Sequence, residues 1–214
     1  MNETAMNENA ENENAVNDTA AGELPQAGAV AAWRAAKDDH LRNHRASPLY
    51  GDPDFAGLTY YPEDDALRVS AAVKRPEVAE TVTLATSSGD ERVFLNYGVA
   101  HFELGGQPQS LVLYATPDAP NGPRLFVPFR DSTSGPETYG AGRYLDVTVD
   151  EEGTGDRVVL DFNYAYHPYC AYAEGYSCPF PPNSNWLTQP VRAGERLPEP
   201  PAASAQQRAT EAGR

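Results

Sequence analysis

The stretch LDVTVDEEGTGDRVVLDF, residues 145–162, decides the fold class. Leu145, Val147 and Val149 alternate with polar side chains, and Val158, Leu160 and Phe162 follow beyond the polar run EEGTGD. Period-two alternation puts one face of a strand against a core. Two such runs across a glycine-containing loop predict an antiparallel hairpin. The same signature recurs outward from there. Leu67, Val69, Ala71 and Val73 form one run, and Val82 with Leu84 another. Val93, Leu95, Tyr97 and Val99 share one parity, whereas Ala100, Phe102 and Leu104 share the other. That change of phase beside Gly98 predicts a β-bulge. Leu111–Ala115 and Leu125–Phe129 flank the turn-rich PDAPNGP and predict a second hairpin, with Pro128 placing its second strand at an edge or a bulge. The expected fold is mainly β, an antiparallel sandwich or partly closed barrel of about seven to nine strands with one N-terminal helix.

That helix is expected between Ala27 and Arg45, where Val30, Trp33, Ala36 or Lys37, His40 and Leu41 fall near one face. Arg34/Asp38 and Asp38/Arg42 have the spacing of surface ion pairs, and Pro48 ends the segment. His40 and His44 have the i,i+4 spacing of metal ligands, but histidines near a helix C-terminus also interact with its dipole. Residues 1–25, built mainly from Asn, Glu and Ala without a cation, have almost nothing to bury and predict a disordered acidic tail. The composition of 198–214 predicts a disordered C-terminal tail, leaving 26–197 as a single β-rich domain. No internal repeat is visible.

The 214 residues carry 16 Lys and Arg against 31 Asp and Glu, a formal charge of −15. Within 26–197, 14 cations face 23 carboxylates, so the acidity is not confined to the tails. Such a surface repels nucleic acid and anionic lipid, which bind through basic patches. No run approaches the length of a membrane span, and no secretory signal is visible. Only Lys37 and Lys74 are lysines. Many carboxylates with few lysines make a hydrated, self-repelling surface, as suits a halophile's salty cytoplasm. Two cysteines, Cys170 and Cys178, make no disulfide framework and point to a reducing, cytoplasmic compartment.

A hairpin through 145–162 sets Arg143 near Asn163, so the segments beyond them share one end of the sheet. Those segments, 131–143 and 163–183, lack the period of a helix or strand and are rich in groups that bind ligands. The expected ligand-binding residues are Asp131, Thr133, Glu137, Tyr139, Gly140, Arg143, Asn163, Tyr166, Cys170 and Asn183. Gly135, Gly140 and Gly142 permit positive φ and close backbone approach. The competing structural reading is that Asp, Thr, Asn and Arg satisfy the backbone of irregular segments, with the five tyrosines of 164–176 lidding a small core.

This end of the chain also resembles a known family. LFVPFRDSTSGPETYGAGRYL (125–145), VVLDFNYAYHPYCAY (158–172) and CPFPPNSNWL (178–187), with VRAGE closing at 195, resemble the signature of the domain of unknown function 1684 family. The likeness begins at WRAAKDDHL (33–41), covers most of 33–197 and is specific in its final part. His167 stands where the family has an asparagine, and the region between Ser47 and Thr81 is shorter than in the longer members. The resemblance implies a shared fold and a shared site, and carries no assigned activity.

Three chemistries compete at the site. The first is a small, anionic ligand held bidentately by Arg143 with help from the Gly140–Gly142 amides and walls from Tyr139 and Tyr166. Its structural rival is an Arg143–Glu137 or Arg143–Asp161 ion pair. The second is a hydrolase-like enzyme using Glu137 and His167 as acid/base partners. The third is a partner-binding module docking through the tyrosine-rich 164–180 loop. No cofactor is expected. Zinc on His167, Cys170 and Cys178 needs a fourth ligand, His101 or Glu174, and a cysteine nucleophile needs a base at hand. No G-x-S-x-G elbow, Walker loop or dinucleotide fingerprint is present.

Overall fold

A computed structural model of the chain describes residues 28–78, 80–122, 124–149 and 157–199. The tails expected over 1–25 and 198–214 lie outside these residues, apart from Pro198 and Glu199, and so does the loop 150–156. Among the described residues there are one α-helix and nine strands, and no helix is long and apolar enough to cross a membrane.

The helix α1 (Ala29–Asn43) buries Val30, Trp33, Lys37 and Leu41, a stripe at helical spacing, and it is Lys37 rather than Ala36 that faces inward. The expected Arg34/Asp38 pair gives way to longer-range bonds. Arg34 donates to the carbonyls of Tyr61 and Asn163, and Asp38 accepts the Leu58 amide. His40 and His44 stack at 4.6 Å, and His40 bonds the Tyr169 hydroxyl.

The strands are β1 (Thr59–Tyr60), β2 (Arg68–Lys74), β3 (Glu80–Ala85), β4 (Glu91–Leu104), β5 (Gln107–Ala115), β6 (Arg124–Phe129), β7 (Arg143–Thr148), β8 (Arg157–Asp161) and β9 (Glu195–Arg196). β1 pairs β9, and the other seven form one antiparallel sheet in the order β7-β6-β5-β4-β2-β8, with β3 also on β4. The organising strand is β4. One of its edges pairs β5 from Leu95 to Leu104, and the other is divided between β3 (Glu91–Asn96) and β2 (Val99–His101). Between those two partners the register slips at Asn96/Gly98, the bulge that the parity change predicts. A bulge bends a strand and raises its twist, and here it lets the sheet curl into a nearly closed barrel. Gly98 is required at this corner because a Cβ there would lie 2.9 Å from the Lys74 carbonyl oxygen. The barrel interior is filled by Ala71, Ala100, Leu111, Leu113, Leu125, Val127 and their neighbours, all buried.

The hairpin read from 145–162 is corrected. β7 pairs β6 and β8 pairs β2, so the two strands are the opposite ends of the sheet order, and no ladder joins them among the described residues. Alternation reports which face of a strand is buried, not which strand lies beside it. The two ends nevertheless come together, because just beyond β8 Tyr144 and Tyr166 exchange backbone hydrogen bonds of 2.9 and 3.0 Å. The inference that both loops share one end of the sheet therefore holds, with a barrel seam in place of a hairpin.

Pro128 also needs correction: β6 is an inner strand, between β5 and β7. Its ladder to β5 is short, with register at Tyr114↔Phe126. Beyond that point the buried side chain of Asn185 fills the gap, accepting the Val112 amide (2.8 Å) and donating to the carbonyls of Val112 (3.0 Å) and Pro128 (2.8 Å). A proline has no N–H to offer a ladder, and an amide side chain supplies both the donor and the acceptor that are missing. Asn185→Ala leaves the buried Pro128 carbonyl and the part-buried amide and carbonyl of Val112 without this partner, at about 1–3 kcal/mol for each group left unsatisfied. Chemical denaturation is expected to show a loss of several kcal/mol, on the order of those penalties combined. Asn185→Asp is expected to fail similarly, since a carboxylate cannot donate to either carbonyl.

Candidate functional site

The barrel end carries the 131–143 loop, the 163–183 loop and a strap running from Leu187 into β9. Asp131 starts the first loop with an Asx turn, its Oδ1 accepting the Thr133 amide (2.9 Å) and hydroxyl (2.5 Å). Its other oxygen, Oδ2, accepts Arg143 Nη2 (3.0 Å) and the Val191 amide (2.7 Å). Arg143 is 1% exposed. Besides Asp131 it donates to the carbonyls of Val191, Ala193 and Glu195 at 2.7, 2.5 and 3.2 Å. Arg143 therefore ties the strap to the barrel mouth, and its ion-pair partner is Asp131 instead of Glu137 or Asp161. Glu137 is instead gripped by Arg192 through a fork of contacts as short as 2.7 Å and by the Tyr61 hydroxyl at 2.9 Å. The Arg192 bonds hold its carboxyl below the usual carboxylate range.

The strap brings a second buried charge into place. Glu195, 1% exposed, meets Lys37 Nζ from α1 at 2.9 Å, His167 Nδ1 at 3.0 Å and the Tyr172 hydroxyl at 2.6 Å, and accepts the His167 amide. Burial alone would raise the Glu195 carboxyl; Lys37 and His167 outweigh it and hold the group well below its ordinary value. Lys37 also lies 4.6 Å from the Tyr166 ring centroid. His167 Nε2 accepts the Tyr139 amide at 3.2 Å. Both ring nitrogens are thus engaged, and the acid/base pairing of His167 with Glu137 is not assembled.

Other expected site residues are accounted for in the same way. Asn163 holds the backbone of Asp64 through its amide and carbonyl, and Asp161. Thr133 bonds Thr138, and the Tyr166 hydroxyl bonds Asp146 at 3.0 Å. Gly135 and Gly142 take positive φ, whereas Gly140 does not. Asn183 is exposed and opens a one-turn 3₁₀ helix, while its neighbour Asn185 is the buried amide that sequence reasoning missed. Lys37 and Glu195 were also missed as a pair, being 158 positions apart. None of the five tyrosines of 164–176 is exposed; the exposed aromatics nearby are Phe180 and Trp186.

One pair from the expected set meets with partly open side chains. The Tyr139 hydroxyl lies 3.8 Å from Cys170 Sγ and 3.4 Å from the Cys170 carbonyl. Cys170 is partly exposed and Cys178 is buried, both as thiols. The Cys170 thiol is pulled down to about 6, chiefly by the hydrogen bond from Cys178, with Tyr139 and Ser87 adding to it against the effect of burial. Burial pushes the Tyr139 hydroxyl up to about 12. His167, Cys170 and Cys178 do not assemble a zinc site: no group of three or more His, Cys, Asp or Glu suited to a metal is present among the described residues. An open groove of about 560 Å³ lies where β4 parts from β2, lined by Ser70, Ala72, His101, Phe102, Glu103 and Arg157 among others, and no residue of either loop lines it.

The model of the family described as protein of unknown function (DUF1684) matches residues 53–196. No curated protein matches the chain. Among solved structures it is similar to an uncharacterised protein of Haloarcula marismortui determined by solution NMR, with 41% identity and a TM-score of 0.63 over 78% of this chain and 92% of that one.

Removing one partner from a buried ion pair leaves the other uncompensated, at a cost of about 3–5 kcal/mol. Glu195→Gln is expected to lose that much in urea denaturation at neutral pH, and adding Lys37→Met to recover part of it. The pH dependence has a definite sign. A carboxyl held lower in the folded than in the unfolded chain stabilises the fold fully above its unfolded value, about 4.3 for Glu, and loses this as pH falls. Below that pH wild type is expected to lose stability more steeply than Glu195→Gln, as read from denaturation midpoints.

Proposed function

The chain belongs to the DUF1684 family of proteins of unknown function, and on that footing we propose that it is a small-ligand-binding domain whose working surface is the meeting point of the 131–143 and 163–183 loops at Tyr139 and Cys170. One observation carries the reading. Where Asp131, Thr133, Glu137, Arg143, Asn163 and Tyr166 are bonded to the protein's own groups, Tyr139 and Cys170 meet 3.8 Å apart at a partly open position. Loops held at the end of a rigid barrel are the usual place for such a surface. The ligand class shifts with the geometry, from an anion on Arg143 to a small uncharged molecule that meets a phenol and a sulfur. The acidic surplus supports a salt-rich cytoplasm as the setting, and with Lys37 buried, Lys74 is the single lysine left at the surface.

Native mass spectrometry of the full-length protein, compared with its 23.2 kDa chain mass, tests the reading. The expected result is an organic excess in wild type that is lost in Tyr139→Ala, corresponding to affinity weakened by at least about tenfold, or 1.4 kcal/mol. A bare chain, together with unmoved Tyr139 and Cys170 amide resonances in a screen of small neutral and anionic fragments, would overturn it.

A further inference from the structure

Two cysteines eight positions apart in sequence, Cys170 and Cys178, meet between the tyrosine-rich loop and the turn after β3. The Cys170 amide donates to Cys178 Sγ at 3.3 Å, which sets the buried sulfur against the backbone of the partly open cysteine. Their settings differ. Cys178 is 1% exposed and its backbone is held to the turn between β3 and β4, its carbonyl accepting the Ser87 amide and its own amide donating to Ser87 Oγ. On its other side the Pro179 carbonyl accepts the Tyr144 hydroxyl, and the Phe180 amide donates to Ala85. Cys170 sits in the one-turn 3₁₀ helix Tyr169–Ala171, partly open, under the Tyr139 hydroxyl. Cys170 is therefore the residue of the pair that is partly open to solution, while Cys178 is closed to it.

We propose that Cys170 and Cys178 form a dithiol that reduces a hydroperoxide, with Cys170 the attacking sulfur and Cys178 the one that resolves it. This goes beyond the binding reading and does not depend on it. The Cys170 thiolate attacks the terminal peroxide oxygen, the O–O bond breaks, and the other oxygen leaves as an alcohol, or as water from hydrogen peroxide, once protonated. Cys170 is then a sulfenic acid. The Cys178 sulfur attacks the Cys170 sulfur, the S–O bond breaks, and the hydroxide leaves as water with the Cys178 proton, so an S–S bond remains. The two electrons lost by the sulfurs are the two gained by the peroxide. An external dithiol returns the pair to thiols by exchange, becoming a disulfide itself.

The surroundings fit each requirement. Closing the bond requires the sulfurs to approach to about 2.05 Å, and the Cys178 sulfur already lies 3.3 Å from the Cys170 amide nitrogen. With the Cys170 thiol at about 6, it is ionised at neutral pH, and the thiolate is the attacking form. A chain with net charge −15 repels anionic substrates, and a hydroperoxide is neutral.

The test uses the reduced full-length protein and one equivalent of hydrogen peroxide, read by intact mass and thiol titration. Wild type is expected to lose both thiols and two hydrogen atoms as a monomer, and to regain them with dithiothreitol. Cys178→Ser is expected to give a dimedone-trapped sulfenic acid on Cys170, and Cys170→Ser to keep its Cys178 thiol. Between pH 7 and 8.5 the rate is expected to change less than about twofold, where an ordinary thiol of pKa near 8.5 rises more than about tenfold. Two surviving thiols in wild type, a disulfide only between chains, or an ordinary thiol's pH profile overturns the proposal. A wild type that keeps a co-purified ligand yet forms no disulfide separates this inference from the binding reading, as does one that forms the disulfide and binds nothing.

Discussion

A guanidinium with 1% of its surface exposed needs protein acceptors for its N–H groups, and Arg143 finds them on two separate segments. Asp131 comes from the loop after β6, and the carbonyls of Val191, Ala193 and Glu195 come from the strap. Since the Phe129↔Arg143 pairing sets where β7 begins, the side chain enters the barrel mouth at a defined height. Leaving a buried charge without its partners costs several kcal/mol, so the strap has one acceptable position. Gly194 allows that position. Its φ is +71°, and a Cβ there would collide with the Ala165 carbonyl oxygen and lie 2.8 Å from the Phe162 carbonyl oxygen. With the strap seated, Glu195 lies where Lys37 can reach it from α1 and His167 from the tyrosine-rich loop. The helix, both loops and the barrel end are thus joined through one short segment.

Much of the fold was legible because burial imposes a period. The runs around Ala71, Leu84, Ala100, Leu113, Val127 and Leu145 all proved to be strands, and the parity change at Gly98 marked the bulge that turns the sheet. Pairing was less legible. The runs at 145–149 and 158–162 looked like each other's partners, yet β6 and β2 occupy their edges, because neither alternation nor proximity in sequence encodes which ladder forms. The helix stripe was visible, including a position shared by Ala36 and Lys37. That Lys37 would be buried depended on Glu195, 158 positions away, and no local pattern announces such a pair.

The site was harder to read for a related reason. Asp, Thr, Asn and Arg in irregular segments serve ligands and backbone equally well. Asp131-x-Thr133 and Asp161-x-Asn163 are both Asx turns, with the carboxylate accepting the amide two residues on. That spacing is a local signal for the backbone-holding use of Asp131, Thr133 and Asn163, and it is visible in the sequence itself. His167 had no such signal. Its two nitrogens are occupied by a carboxylate from the strap and an amide from the other loop, and both arrive through the tertiary fold.

Tyr139 is the residue on which these two parts of the barrel end meet. Its amide is held by His167 Nε2, and so by the Glu195 cluster; its hydroxyl lies over the Cys170 sulfur. Cys178, whose sulfur accepts the Cys170 amide, packs in the cluster of Trp33, Tyr144 and Tyr166 beneath α1. The buried polar network therefore fixes the backbone of the residue that stands over one thiol, while the aromatic cluster fixes the other thiol directly. Chemistry at a half-open loop position requires that kind of support, since a reacting pair left to loop motion alone would rarely be in register. Here the rigidity comes from buried charges and aromatic rings, while Cys170 and Tyr139 themselves stay partly open.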